Sequence, residues 1–160
     1  MNKIIKTNVM RILDKAKINY EVIEAPNYQF INGIEMAKYL NEPCSNCFKT
    51  IVTVAKSKEH YVFMLPVDKE LDLKKCALVA NEKSIEMIHQ KDLLPLTGYV
   101  HGGCSPLGMK KSFSTFIDES AKNLSYIYFS GGKIGLQIKM NVCDLSKVIS
   151  YKFGNITYDN

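Results

Sequence analysis

Two pairs of strand-length runs, each turned about a short polar or glycine-rich segment, constrain this chain more than any other feature. Phe48 to Ala55 and His60 to Val67 are apolar and rich in β-branched residues, with Lys56-Ser57-Lys58-Glu59 between them. Leu124 to Phe129 and Gly135 to Met140 flank Ser130-Gly131-Gly132-Lys133 in the same way. Runs of this length around such turns pair as antiparallel hairpins. A doubly wound parallel sheet needs a helix after nearly every strand, so this arrangement argues for a mixed or antiparallel sheet, closed towards a barrel.

Helical spacing fills the intervals. Ile5, Val9, Ile12, Leu13 and Ala16 recur on one helix face, predicting a helix over 7–17 capped by Thr7 or Asn8. Tyr20 to Glu24 alternates as a strand, and Pro26 to Asn32 reads as a loop carrying Tyr28 and Phe30. Ile34 to Leu40 predicts a second helix, ended by Asn41-Glu42-Pro43. Leu73, Cys76, Ala77 and Ala80 predict a third behind the cap Asp72. Ser84 to Ile88 and Ser112 to Ile117 are further strand candidates, Asp92 to Leu96 a helical turn, and Asp144 to Ile149 a short helix capped by Asp144.

The chain has 160 residues, with 46% hydrophobic and 23% charged, which suits one globular domain over 1–160 with a core of its own. The longest apolar runs, such as Tyr61 to Val67, are too short to span a bilayer as a helix, and the N-terminus carries no apolar leader, so a cytoplasmic protein is expected. The net charge is +5, and of the 21 basic residues only Arg11 is arginine. That balance suits a polyanionic partner without requiring one. Five cysteines with no leader argue against a disulfide framework. Cys44 and Cys47 form a C-x-x-C pair, but no second pair follows at zinc spacing, and the pair precedes a strand instead of opening a helix as a redox motif would.

Three features could carry chemistry. Gly102-Gly103-Cys104-Ser105-Pro106-Leu107-Gly108 and Ser130-Gly131-Gly132-Lys133-Ile134-Gly135 are glycine-rich loops that let a ligand approach the backbone and meet its N–H groups. Neither matches a Walker or dinucleotide fingerprint, and each also reads as a plain turn between strands. Lys49 opens an apolar strand between Phe48 and Thr50, where a lysine holds a phosphate, polarises a carbonyl or snorkels to solvent. No nucleophilic triad assembles, since Ser105 lacks the G-x-S-x-G elbow and His60, His89 and His101 have no evident acidic partner.

Phe48-Lys49-Thr50, Thr97-Gly98-Tyr99, the Gly102-Gly103-x-Ser105-Pro106-Leu107-Gly108 loop and Ser130-Gly131-Gly132-Lys133-x-Gly135-Leu136, taken in order, resemble the YbaK/EbsC family of Cys-tRNA(Pro) deacylases over roughly residues 5–150. The resemblance implies an α+β fold with a mixed, mostly antiparallel, barrel-like sheet flanked by helices. It implies a trans-editing aminoacyl-tRNA deacylase that clears cysteine from tRNA(Pro), where a synthetase pocket separates similar side chains poorly, with Cys-tRNA(Cys) as a further candidate substrate. It implies that the substrate thiol attacks its own ester through a cyclic thioester. Lys49 then matches the essential lysine. Tyr20, Phe30, Thr50, Gly102, Gly103, Ser105, Ser130, Gly131, Gly132 and Asp144 match substrate-binding positions. No cofactor or metal is implied. The expected partners are mischarged tRNA and, as a candidate, prolyl-tRNA synthetase, with no membrane and no DNA. An Ala-tRNA(Pro) deacylase and a non-catalytic module binding tRNA or a synthetase remain the alternatives. His101 and Cys104 depart from the expected pocket loop, and Cys104 is the one candidate for an enzyme thiol.

Overall fold

A computed structural model describes residues 5–25 and 32–159. Helix α1, Asn8–Lys15, starts where Thr7 turns extended and accepts the Met10 N–H on its hydroxyl. It buries Val9, Met10 and Leu13, whereas Ile5 stands exposed before the first turn and does not join the predicted face. Strand β1, Tyr20–Glu24, follows at the expected bounds. Helix α2, Gly33–Leu40, is capped by the Asn32 side chain at its start and by left-handed Asn41 at its end. The loop expected from Pro26 to Asn32 lies, up to residue 31, outside the described residues, and Phe30 with it.

Strands β2, Phe48–Ala55, and β3, His60–Pro66, form the first hairpin, pairing from Phe48 with Pro66 to Val54 with His60. Helix α3, Leu73–Ala80, takes its cap from Asp72, whose carboxylate accepts the Lys74 and Lys75 N–H groups, a contact that contributes about 1 kcal/mol. Strand β4, Ile85–Met87, pairs with β2. Helix α4, Gln90–Thr97, is longer than the turn expected at Asp92 to Leu96. It tolerates Pro95 and closes with the Thr97 hydroxyl on the Leu93 carbonyl and with left-handed Gly98.

Strands β5, Ser114–Asp118, β6, Tyr126–Ser130, β7, Leu136–Asn141, and β8, Lys152–Gly154, complete two sheets among the described residues, ordered β1-β7-β6 and β4-β2-β3-β5-β8. The small sheet is wholly antiparallel. In the larger one β5 runs parallel to β3, and β8 parallel to β5, because the chain between β3 and β5 crosses over through α3 and α4. The sheet is therefore mixed as expected, but the two sheets do not close into a barrel among the described residues. One parallel bridge, Cys47 to Tyr128, joins them. The segment expected to be a helix capped by Asp144 is a 3₁₀ helix, Val142–Lys147, that begins two residues earlier behind Asn141.

Strand alternation divides the core. Phe48, Met64, Phe129, Ile138 and Leu107 pack under α1, while Phe63, Leu65 and Phe116 pack against Cys76 and Ala77 of α3. Val52 and Val62 meet Leu93 of α4 and Cys104. Ala37 of α2 covers Cys47 and Tyr128. Among the described residues no helix is long and apolar enough to cross a membrane.

Glu42 ties α2 to the small sheet, accepting the Tyr126 and Tyr128 hydroxyls on its two oxygens, each at 2.8 Å. Burial and this carboxylate hold the Tyr128 phenol well above the usual tyrosine range. Burial also pushes Tyr99 up to about 12, and the Glu82 hydrogen bond pushes Tyr61 to about 12. Phenols with raised folded values bind their protons more tightly in the native protein than in the unfolded chain. Their stabilisation is complete below about pH 10 and is lost as pH rises through the folded values. The urea midpoint should therefore fall as the pH is raised from about 10 to 12. Tyr128→Phe should flatten that decline, and an equally steep decline in the variant would count against the assignment.

Candidate functional site

The Cys47–Tyr128 bridge sets the geometry of the site. Strands β2 and β6 leave it in the same direction, and Lys49 and Ser130 each lie two residues beyond it. By alternation both face the side of the bridging pair, the side covered by α2. Gln137 sits across from Ser130 in the β6–β7 ladder and so shares that face. The first hairpin thus supplies a cation and the second a hydroxyl and an amide at one level on one face of the joined strands.

Lys49 is half-buried, with Nζ 3.5 Å from the Val67 carbonyl oxygen. Burial lowers its ammonium below the usual lysine value, and Glu70 and Asp68 on the following turn pull in the opposite direction. Thr50 points to the other face of β2, and its Oγ1 is buried with no hydrogen-bond partner among the described residues.

The two glycine loops meet. A methyl group on Gly103 would lie 3.1 Å from the Ile134 nitrogen and from the Lys133 backbone, so the loops touch main chain to main chain. Gly132 has φ +105°, and a methyl there would meet Val9 and Tyr99 at 3.3–3.4 Å. Tyr99 also supports the first loop, donating its hydroxyl to the Leu107 carbonyl at 2.5 Å. Thr7 donates to the Gly131 carbonyl at 2.7 Å, fastening the start of α1 to the second loop.

The glycine N–H groups do not all face a ligand. Gly103 donates to Val100, Gly131 to Leu136 and Gly132 to the Ser130 hydroxyl. Three of the loop glycines thus spend their N–H groups closing their own turns, and the loops contribute close approach of one main chain to the other. Gly102, φ +88°, lies at the turn beneath Ile134.

Ser105 is fully buried, its hydroxyl accepting the Leu107 N–H at 3.4 Å. Burial pushes the Cys104 thiol up to about 12. Cys44 and Cys47 span the 3₁₀ turn before β2, and burial raises Cys47 likewise to about 12. A thiol held that high is almost wholly protonated near neutrality and is a poor nucleophile.

Two expected binding residues lie elsewhere. Tyr20 sits at the far end of the small sheet, pairing with Met140 and donating to Asp14 of α1 at 2.8 Å. Asp144 lies in the 3₁₀ helix beyond β7, paired with Lys147 at 2.7 Å, at the opposite end of the hairpin from Ser130–Gly132. The sequence reading did not single out Gln137, Asp68 or Glu70. Pairing register reveals the first, and proximity to a buried cation reveals the other two.

Comparison with known proteins places this architecture. The family profile described as the aminoacyl-tRNA editing domain matches residues 33–148. The chain belongs to the aminoacyl-tRNA editing domain family. Within it, the chain is 39% identical over 153 residues, 95% of its length, to a protein of Enterococcus faecalis provisionally named Cys-tRNA(Pro)/Cys-tRNA(Cys) deacylase EbsC, covering 93% of that protein. This editing domain is also 27% identical over 119 residues, 74% of the chain, to a proline–tRNA ligase of Brachyspira hyodysenteriae, spanning 20% of the ligase. A crystal structure described as a provisional trans-editing enzyme for prolyl tRNA synthetase shares its fold, with a TM-score of 0.83, 18% identity and coverage of 96% of this chain and 99% of that one. The YbaK/EbsC resemblance in the four motifs is thus upheld across the chain.

Loop contact generates a test. Gly103→Ala must part the two loops, because its methyl meets backbone. Gly132→Ala forces an alanine into positive φ at a cost of about 1–2 kcal/mol. Urea denaturation should show that loss for Gly132→Ala. Retention of full stability would mean that the loop relaxes freely.

Proposed function

We propose that this editing domain is a trans-editing deacylase, acting in the cytoplasm as one unit over residues 1–160, that removes cysteine from Cys-tRNA(Pro). The observation that carries the reading is that the Cys47–Tyr128 bridge sets Lys49 and Ser130 at one level on the same face of neighbouring strands, while the two glycine loops touch main chain to main chain. The likeness to the Enterococcus protein supports the substrate, and the likeness to a segment of a proline–tRNA ligase supports prolyl-tRNA synthetase as the partner in the pathway.

The chemistry follows from what the chain's own groups offer. Cys104 and Ser105 are buried and poorly placed to attack. The cysteinyl thiol of the substrate, with a pKa of about 8.5, supplies a few per cent thiolate at neutral pH. Its sulfur attacks the ester carbonyl carbon, forming a C–S bond. The bond to the terminal ribose oxygen breaks, and that oxygen takes up a proton. Water then opens the cyclic thioester and releases cysteine. The Lys49 ammonium stabilises charge developing on the carbonyl oxygen, and the Ser130 hydroxyl and Gln137 amide orient the ester. The loops give the acyl group a narrow approach. Position and electrostatics do the catalysis, with no enzyme nucleophile consumed.

Lys49→Met should abolish most deacylation, a loss of about 100–1,000-fold in kcat/KM for a donor aimed at developing charge. It should leave stability unchanged or raised. The native protein binds the Lys49 proton less tightly than the unfolded chain, so the charge costs stability at neutral pH, and the cost fades as pH rises through the folded value. Near-normal turnover by a folded variant would reject the role.

The thiol mechanism has its own test. tRNA(Pro) charged with serine, which differs by one atom and whose hydroxyl scarcely ionises, should be a very poor substrate. Cys104→Ala should keep most of the activity on Cys-tRNA(Pro). Equal rates on both substrates, together with an inactive Cys104→Ala, would mean that the enzyme brings its own nucleophile.

A further inference from the structure

The C-x-x-C pair is a motif that the site leaves unused. In the sequence it stands ahead of a strand, where a redox pair is not expected. In the fold Cys44 is the first residue of the 3₁₀ turn Cys44–Asn46, and Cys47 closes that turn by donating its N–H to the Cys44 carbonyl at 3.0 Å. The pair therefore does open a helical turn, and β2 begins after it at Phe48.

The two thiols are neighbours. A turn closed from its first residue to its fourth brings those Cα atoms within about 7 Å, and a disulfide spans about 4.4–6.8 Å between Cα atoms. Both side chains belong to one apolar cluster: Cys47 lies in its buried centre with Ala37 and Tyr128, and Cys44 packs on it from a half-buried position. Burial and then the nearby Cys44 raise the Cys47 thiol to about 12. The other cysteines lie apart: Cys76 packs under α3, Cys104 packs with Val52 and Val62, and Cys143 is exposed on the 3₁₀ helix Val142–Lys147.

The two thiols also differ in access. Cys44 can meet a solute, whereas Cys47 is only 3% exposed. We propose that Cys44 and Cys47 form a redox-active dithiol whose substrate is a low-molecular-weight disulfide such as oxidised glutathione. The Cys44 thiol gives up its proton, and its sulfur attacks one sulfur of the disulfide. A mixed disulfide forms, and the first glutathione leaves as a thiolate that takes up a proton. The Cys47 thiol then gives up its proton and attacks the Cys44 sulfur, and the second glutathione leaves in the same way. Two protein thiols are oxidised to one disulfide, and one glutathione disulfide is reduced to two thiols.

Burial of Cys47 fits the second step. A thiol at about 12 carries about one part in 10⁵ of thiolate near neutrality, too little to react with a dilute solute. Groups held in contact reach effective molarities of about 10⁵–10⁸ M, which offsets that fraction for attack on Cys44. An adduct left on Cys44 would stand against the cluster that holds the Cys47–Tyr128 bridge, and the second thiol expels it. In a reducing compartment the dithiol is the resting form and the disulfide is transient. None of this depends on the deacylase reading.

The experiment treats the reduced protein with oxidised glutathione, quenches with acid, blocks the remaining thiols with N-ethylmaleimide and weighs the tryptic peptides. Trypsin releases residues 39–49, which contain Cys44 and Cys47 and no other cysteine. In the wild type this peptide should be lighter by two hydrogens, with neither glutathione nor maleimide on it, and a dithiol reductant should restore both thiols. Exposed Cys143 should keep its glutathione in the same sample. Cys47→Ala should hold glutathione on Cys44, and Cys44→Ala should leave Cys47 unmodified. A lasting adduct on Cys44 in the wild type, or two maleimide-blocked thiols at Cys44 and Cys47, would overturn the proposal. Modification of Cys47 in Cys44→Ala as fast as that of Cys44 in the wild type would also overturn it. The mass of the wild-type peptide decides the matter even if a variant fails to fold.

Discussion

The backbone contact between Cys47 and Tyr128 is the constraint from which the rest of the site follows. Among the described residues, two sheets with separate hydrogen-bond ladders are joined by this one parallel bridge. It fixes the level of β2 against β6, and the period-two alternation of a strand then decides which side chains share one face. A slip of one residue on either strand would turn Lys49 or Ser130 into the core and bring Phe48 or Phe129 out of it. The apolar neighbours of those two phenylalanines, Met64, Ile117, Ile138 and Leu107, make such a slip costly, so core packing and site geometry are set by the same register.

The elements were legible where period and caps coincided. Tyr20–Glu24 alternates cleanly, Asp72 announces α3, and the Ser130-Gly131-Gly132-Lys133 turn announces the second hairpin. Less could be read where long-range pairing decides the outcome. β8 is only three residues long and exists because β5 offers it an edge, and no local pattern in Lys152-Phe153-Gly154 marks it. α4 starts two residues before the turn expected at Asp92 to Leu96 and takes in Thr97, whose hydroxyl closes it on the Leu93 carbonyl. Hairpin signals say nothing about whether separate sheets meet at their far edges, and among the described residues the two sheets are joined by one bridge without closing.

The site was legible as residue types and not as roles. Lys49 and the two loops stood out because a charge in an apolar run and glycines between strands are locally unusual. Their neighbours did not stand out: Asp68, Glu70 and Gln137 are ordinary surface-type residues until pairing brings them beside a half-buried ammonium or a loop serine. The glycines also changed meaning. As a sequence they suggested backbone donors aimed at a ligand, whereas in the fold three of those donors close their own turns and the missing side chains make room for the neighbouring loop.

That last feature bears on how such a site can diversify. Where Gly103 lies against Lys133 and Ile134, the spacing between the loops is set by main chain, which substitutions elsewhere barely alter. The side chains that surround the contact, among them exposed Ile134 and Val100, are free to vary without changing that spacing. Substitution of the surrounding side chains therefore leaves the two loops in register with each other, and their contact is lost only when the glycine that permits it is replaced.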